Sequence, residues 1–223
     1  MSAPTDPGSA DESDDTQPID LPGTDTQPIT MNSRPQLPHS AAILGVIGVD
    51  GHEGTGKSTI ARGAARALHA SFHRPFGNER GTLLAHASQA GDTDGVLRVG
   101  EAALTTAIHR AGSMRPVVLE RSWLTVGSLL PDDVFYERWQ LWIPTILCWA
   151  DLPSTLKRLG HRTAPAATIA RHEHLIERYR TMAEDRGCVI VDTSHTTDDE
   201  AIAEVVRAAR RLLHWTATPA LQS

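Results

Sequence analysis

A glycine-rich segment at residues 51–58 constrains the fold of this chain more than any other feature. It reads G-H-E-G-T-G-K-S, follows the apolar run at residues 42–49 and leads into the Ala-rich stretch at residues 58–70. Glycines let successive backbone amides point into one concavity, and the start of a helix adds partial positive charge there. The terminal Lys57 and Ser58 add a charge for phosphate and a hydroxyl for Mg²⁺. The pattern predicts a strand, a phosphate-binding loop and a helix that bind a nucleoside triphosphate.

The lysine of this loop is unusual for the chain, because 19 of the 21 basic residues are arginine and the only other lysine is Lys157. A position that keeps lysine in such a background indicates a requirement that arginine does not meet. We expect Lys57 to contact the β- and γ-phosphates and Ser58 to ligate Mg²⁺. The residues expected around the phosphates are Gly51, His52, Glu53, Gly54, Thr55, Gly56, Lys57, Ser58 and Thr59.

The charge of the chain is concentrated near its start. Residues 1–39 hold seven acidic residues and one basic residue, which accounts for the whole formal net charge of −6, and they hold seven of the 14 prolines. Such a composition predicts a disordered tail at 1–39 and a folded domain at 40–223. The pentapeptide D-T-Q-P-I occurs in the tail at 15–19 and 25–29, either as a docking or phosphorylation motif or as replication slippage.

Composition also excludes several classes of protein. The 184 residues after the tail carry 20 acidic and 20 basic residues, so no overall basic field favours nucleic acid. No apolar run approaches the roughly 18 residues of a membrane span, and the acidic N-terminus is unlike a signal peptide. Cys148 and Cys188 lie in apolar runs typical of buried, reduced thiols. We therefore expect a cytoplasmic protein without nucleic-acid or membrane partners.

Apolar segments alternate with helical patterns along the rest of the chain. Strands are predicted at 42–49, 70–73, 116–120, 143–150 and 188–192. Helices are predicted at 58–70, 96–111, 123–130, 133–141, 153–159, 167–185 and 198–215, with a polar loop between the second strand and residue 95. This alternation predicts an α/β P-loop NTPase, a doubly wound parallel sheet of about five strands with helices on both faces.

An acidic residue at the end of a predicted strand indicates which class of P-loop protein this chain resembles. Glu120 ends the apolar run at 116–120 and is followed by Arg121 and Ser122, a sequence typical of nucleoside and nucleotide kinases. The N-K-x-D motif of regulatory GTPases and the L-S-G-G-Q signature of transporters are both missing from the sequence. A small-molecule kinase is the class that remains, and its expected cofactors are ATP and Mg²⁺.

Over roughly residues 43–213 the chain resembles the thymidylate kinase family. Residues 50–57 read D-G-H-E-G-T-G-K and match the family's E-G-x-D-G-x-G-K with Glu and Asp exchanged. Residues 73–77 read H-R-P-F-G, where the family has T-R-E-P-G. Arg98 precedes Arg121 by nearly the family's spacing, and Asp151-Leu152-Pro153 looks like the family's turn after the third long strand.

The resemblance implies roles for individual residues. Glu53 falls where a loop carboxylate contacts the acceptor's sugar hydroxyl, and Arg74 falls where an arginine grips the acceptor's phosphate. Arg158 and Arg162 fall at the start of a short lid. Because the phosphate loop has no arginine, we expect Arg162 or Arg171 to reach the transferred phosphoryl group.

The complete set of expected site residues follows from these arguments. The catalytic residues are Lys57, Glu120, Arg121 and Arg162, and the metal ligands are Ser58 and Glu120. The acceptor-binding residues are Glu53, Arg74, Phe76, Arg98 and Arg121. The sequence H-E-H at 172–174 is interpreted as a solvated helix face, and Trp139, Trp142 and Trp149 as packing residues.

The acceptor itself stays open. The residues after Arg121 do not continue as the family's do, no thymine-reading residue is evident, and deoxynucleoside kinases share the Glu-Arg-Ser triplet. A nucleoside monophosphate is the first expectation, and a nucleoside or an unusual biosynthetic intermediate is the alternative. A third hypothesis is a nucleotide-binding regulatory protein with little turnover. Expected partners are the small-molecule acceptor, a second copy in a homodimer, and a docking partner for the tail.

Overall fold

The computed structural model describes residues 45–112, 116–161 and 163–217, the last four by their backbone alone. The predicted tail at 1–39 with its duplicated pentapeptide lies outside these residues, and so does Arg162. The sequence expectations for both therefore stay predictions.

Five parallel strands form one sheet in the order β2-β3-β1-β4-β5. The strands are β1 (Val46–Asp50), β2 (Ser71–His73), β3 (Val117–Glu120), β4 (Thr145–Trp149) and β5 (Val189–Asp192). The central strand β1 is buried along its whole length and pairs with β3 and β4 on its two sides. Continuous apolar strands of this kind are typical of a parallel sheet covered on both faces.

Helices cover both faces of the sheet. They are α1 (Lys57–Ala67), α2 (Glu79–Gln89), α3 (Thr93–Ala111), α4 (Trp123–Gly127), α5 (Asp132–Arg138), α6 (Leu152–Leu159), α7 (Ala166–Asp185) and α8 (Asp198–Ala217). Ile47 and Val49 of β1 pack in one cluster with α1 and α8. Val46 packs in the other, which includes residues of α3, α4, α5 and α7. The doubly wound architecture is confirmed.

One predicted element is wrong. The structure has a helix, α2, where the sequence predicted a polar loop, and α3 begins at Thr93 rather than Val96. Leu84 is the buried residue of α2, so the helix shows little hydrophobic periodicity and forms from residues of good helix propensity that pack against α3. Asp92 starts α3 early, because its Oδ1 accepts a hydrogen bond of 2.8 Å from the Gly95 amide.

Aromatic residues fill the larger cluster, as predicted. Trp139 and Phe135 are fully buried, and Trp142 is half-buried with the Arg186 guanidinium 3.8 Å from its ring centroid. Both cysteines are free, and burial raises the pKa of each thiol to about 12. Among the described helices, none has the length and hydropathy needed to cross a bilayer.

Candidate active site

The predicted strand, phosphate loop and helix form as expected. β1 ends at Asp50, α1 begins at Lys57, and the phosphate loop (residues 51–58) connects them at the carboxyl end of the sheet. A Cβ on Gly51 would lie 2.3 Å from the Cys148 carbonyl oxygen, so only glycine fits where the loop passes β4. Gly56 has a φ of 78°, a left-handed conformation that glycine adopts without steric cost.

The Lys57 side chain is buried within the phosphate loop. Its side chain is 6% exposed, and its Nζ donates a hydrogen bond of 3.1 Å to the His52 carbonyl oxygen. Burial, with a contribution from the positive charge of Arg121, lowers the pKa of Lys57 to about 8. A poorly solvated ammonium binds an entering phosphate strongly, because the negative charge of the phosphate replaces the stabilisation that water would give.

Glu120 joins the phosphate loop to the segment that follows β2. The Ser58 hydroxyl donates a hydrogen bond of 2.6 Å to Glu120 Oε1, and Arg74 Nε lies 2.9 Å from Glu120 Oε2. The Glu120 carboxylate is 3% exposed, whereas Arg74 is 57% exposed. Three side chains predicted from separate motifs therefore meet at one point. Their hydroxyl and carboxylate oxygens are hard ligands of the kind that Mg²⁺ prefers.

The number of protein ligands at this point also fits Mg²⁺. The described residues contain no cluster of three or more His, Cys, Asp or Glu side chains suited to a metal. Mg²⁺ in nucleotide sites is commonly held by one or two protein oxygens, with waters and phosphates as the other ligands. Ser58 and Glu120 are therefore a chemically suitable pair for a nucleotide-bound Mg²⁺.

Arg121 follows Glu120 in a strained backbone conformation. Its φ is 76°, in the left-handed region that residues with a side chain rarely adopt. The backbone amide donates to the Val49 carbonyl oxygen at 3.0 Å, and the guanidinium donates to Thr125 Oγ1 at 3.3 Å. Strain of this kind persists only where surrounding contacts hold it, and it is concentrated at functional sites.

Asp50 has no role predicted from the sequence, yet its side chain is central to the site. The carboxylate is fully buried and accepts five hydrogen bonds. The donors are the Gly51 amide at 2.8 Å, the Ser122 amide and hydroxyl at 2.7 and 3.1 Å, and the Thr125 amide and hydroxyl at 3.0 and 2.8 Å. One carboxylate thus connects the start of the phosphate loop to the turn that carries Arg121.

Comparison with known proteins gives structural likeness alone. No protein-family model matches this chain, and no curated protein matches it. A structure of deoxyadenosine kinase from M. mycoides with bound dATP is 13% identical, with a TM-score of 0.52 over 74% of this chain and 98% of that chain. A second structure of that kinase, with the products dCMP and a flexible dCDP bound, is 12% identical, with a TM-score of 0.50 over 75% of this chain and 99% of that chain.

The chain has the α/β P-loop NTPase fold. In open α/β sheets of this kind, ligands bind outside the carboxyl ends of the strands. The phosphate loop, Glu120 and Arg121 all lie at that end.

Within this P-loop fold, the His52 side chain does not face the concavity of the phosphate loop. It is 2% exposed, and its Nε2 lies 3.0 Å from Thr155 Oγ1 of α6. Burial and the nearby Lys57 charge lower the pKa of His52 to about 3, which keeps the ring neutral. His52 therefore contributes its backbone to the loop, while its ring packs against α6.

Arg158 supports the phosphate loop from α6. Its guanidinium donates to the Gly54 carbonyl oxygen at 3.2 Å and to both oxygens of Thr193, which follows β5. Thr193 Oγ1 in turn lies 2.9 Å from the carbonyl oxygens of both Thr55 and Trp149, either of which can accept its proton. The expected lid residue thus ties the loop to two neighbouring segments. Arg158 also lines a cavity of about 930 Å³ between α6 and residues 194–196.

Other predicted residues lie apart from this group. Arg98 is exposed on α3 and lines a separate cavity of about 730 Å³ with Asp94 and Arg138, and no residue of the phosphate loop lines it. Phe76 is half-buried and packs against the larger core cluster. Glu53 and Thr59 are exposed on the loop and on the first turn of α1.

The prediction of a solvated face at residues 172–174 is wrong for His172. This ring is 5% exposed, and its Nε2 lies 3.2 Å from His161 Nδ1. Glu173 and His174 are exposed, as predicted. The helix pattern alone did not reveal the contact with His161, which lies two residues after the end of α6.

Proposed function

We propose that this protein transfers a phosphoryl group from ATP to a nucleoside monophosphate in a Mg²⁺-dependent reaction. The observation that carries the proposal is the contact chain from Ser58 through Glu120 to Arg74. In this contact chain two oxygen-bearing side chains suited to Mg²⁺ lie together at the phosphate loop, with a mostly exposed guanidinium directly beside them. Phosphoryl transfer depends chiefly on positioning and on neutralising negative charge, and this group of side chains supplies both.

The donor is held by the phosphate loop. Its backbone amides and Lys57 would contact the β- and γ-phosphates of ATP. The rest of the nucleotide would occupy the cavity lined by Arg158, whose guanidinium contacts the loop at the Gly54 carbonyl oxygen. Mg²⁺, held by Ser58 and Glu120, would neutralise charge on the phosphate oxygens. The buried Lys57 gains most from an anion, because its ammonium is poorly solvated in the ligand-free protein.

The acceptor is expected on the β2–β3 side of the loop. Arg74 Nε is engaged by Glu120, and the exposed remainder of the guanidinium offers N–H donors to an acceptor phosphate. Arg74 follows β2 and Arg121 follows β3, so both arginines lie at the ends of neighbouring strands, where Arg121 would also contact the acceptor. The phosphate of a monophosphate acceptor would offset these two positive charges, whereas an acceptor with only a neutral hydroxyl would not.

A nucleoside kinase is the second candidate. The Glu120-Arg121-Ser122 triplet and the structural likeness to deoxyadenosine kinase both favour it. In that reaction Glu53 or Glu120 would act as the general base for the acceptor hydroxyl, and Arg74 would have no phosphate to bind.

A screen of ADP release against nucleoside monophosphates and nucleosides separates these candidates. We expect turnover with a monophosphate and a rise in its KM of roughly 10- to 100-fold in Arg74→Ala, the usual loss for a charge-assisted hydrogen bond. Arg207→Ala, which removes an exposed arginine of α8, is the matched control and should leave KM unchanged. Lys57→Ala provides the blank.

Each other outcome of the screen selects a different reading. Turnover of nucleosides that is indifferent to Arg74→Ala supports the nucleoside kinase. If no acceptor stimulates ADP release and Lys57→Ala behaves as the wild type, the protein is not a kinase, and a nucleotide-binding regulatory role is favoured.

Several finer expectations belong to the same proposal. They are the thymidylate kinase-like choice of acceptor, a cytoplasmic location, a homodimer, a catalytic Arg162 in a short lid, and docking of a partner by the tail. Deleting residues 1–39 should leave kcat intact, because the proposed catalytic groups lie in the domain that follows.

A further inference from the structure

The five hydrogen bonds to the buried Asp50 carboxylate organise two segments at once. One donor is the first amide of the phosphate loop, and four belong to Ser122 and Thr125 after β3. The Ser122 side chain gives α4 no cap, and Asp50 accepts from the Thr125 amide in its place. A carboxylate from β1 thereby caps the helix that follows Arg121.

Thr125 Oγ1 connects the Asp50 carboxylate to the Arg121 side chain by hydrogen bonds. A hydroxyl has one proton to donate and two lone pairs that accept. The proton goes to Asp50 Oδ1 at 2.8 Å, and the lone pairs accept from Arg121 at 3.3 Å and from the Tyr179 hydroxyl at 3.2 Å. Burial raises the pKa of Tyr179 to about 12, so its hydroxyl keeps the proton it donates. Every hydrogen-bonding position of Thr125 Oγ1 is therefore used, and its orientation is fixed.

We propose that Asp50 and Thr125 are positioning residues for Arg121, acting as one chain from the phosphate loop to the guanidinium. Asp50 orients the Thr125 hydroxyl, and Thr125 presents a lone pair to Arg121, which the strained backbone holds at the strand tip. The inference rests on the proposed function, in which Arg121 contacts the acceptor or the transferred phosphoryl group. It goes further, because it assigns roles to two residues that would not touch a substrate.

A double-mutant cycle tests this chain directly. Thr125→Val preserves the shape of the side chain and removes its hydroxyl, and it is measured in the wild type and in Arg121→Ala. We expect kcat/KM for the acceptor to fall roughly 10- to 100-fold in the wild type, the scale of a misplaced group, with the KM for ATP unchanged. In Arg121→Ala the same substitution should change kcat/KM less than about twofold, because its target is gone.

A conservative variant completes the test. Thr125→Ser keeps a hydroxyl and should restore most of the activity lost in Thr125→Val. Equal losses in both backgrounds, or a loss in Thr125→Ser as large as in Thr125→Val, would overturn the inference, because a merely structural role predicts them.

The failure of the proposed function is distinguishable from the failure of this inference. If the wild type transfers no phosphoryl group to any acceptor, the proposed function fails. The crystal structure of Thr125→Val then decides whether Thr125 positions Arg121: a displaced guanidinium supports the inference, and a guanidinium in its original place refutes it.

Discussion

Replacing Lys57 by methionine should stabilise the ligand-free protein while it abolishes phosphoryl transfer. Lys57 is 6% exposed, and desolvation is the main cause of its lowered pKa. Keeping this ammonium charged therefore destabilises the folded protein relative to the unfolded chain, in which water solvates the charge. Methionine has a similar length, carries no charge and suits a buried position.

The size of the effect follows from the pKa. Lys57 changes from its ordinary 10.5 to about 8 in the folded protein. Since one pKa unit corresponds to about 1.4 kcal/mol, the folded state loses up to roughly 3 kcal/mol when the lysine is charged. Lys57→Met should recover a large part of this free energy at pH 7.

The sign of the pH dependence follows from proton binding. Below pH 8 the lysine is protonated in both states, so the folded wild type bears the full cost. Between pH 8 and 10.5 the unfolded chain binds more protons than the folded one, so the wild type gains stability relative to the variant as pH rises. Above that range both states are neutral and the difference closes.

Urea unfolding of the wild type, Lys57→Met and Lys157→Met at pH 6, 7, 8 and 9 measures these free energies. Lys157 is exposed on α6 and serves as the matched control, with no expected change in stability. A Lys57→Met variant no more stable than the wild type at pH 7, or one whose stability advantage does not shrink at pH 9, would show that burial of the charged lysine does not destabilise the folded protein.

Three further substitutions test the metal site, the packing of the core and the support of the phosphate loop. Ser58→Ala should raise the Mg²⁺ concentration needed for half-maximal turnover by about tenfold, whereas Ser58→Thr should not, as a Mg²⁺ titration at fixed ATP will show. Gly127→Ala should lower Tm in a calorimetric scan and cost about 1–3 kcal/mol, because the added Cβ would lie 2.8 Å from Cε1 of the buried Phe135 ring; an unchanged Tm contradicts the packing described. Arg158→Ala should raise the KM for ATP roughly 3- to 30-fold with little change in the acceptor's KM, because it frees the phosphate loop and Thr193; equal changes in both KM values would show a general structural defect.

The sequence predicted the parts of the site that a linear motif encodes. Lys57 and Ser58 lie at fixed positions after the glycines, because backbone geometry and phosphate chemistry together require that spacing. Glu120 was found because it ends an apolar strand, and the ends of parallel strands meet at one edge of the sheet. Its contacts with Ser58 and Arg74 agree with that argument.

The missed parts depend on contacts between distant segments. Asp50 meets Thr125 across 75 positions of the chain, and Thr193 meets Thr55 across 138, so no local pattern marks either pair. α2 was missed for a different reason: a helix that buries mainly Leu84 leaves no apolar periodicity to read.

Transfer of the γ-phosphate can be followed with a radioactive label. ATP labelled in that group is incubated with Mg²⁺, the wild-type protein and a panel of nucleoside monophosphates and nucleosides. We expect labelled acceptor with the wild type and with Arg207→Ala, and none with Lys57→Met. The absence of labelled acceptor from every wild-type reaction, or equal labelling by Lys57→Met, would contradict it.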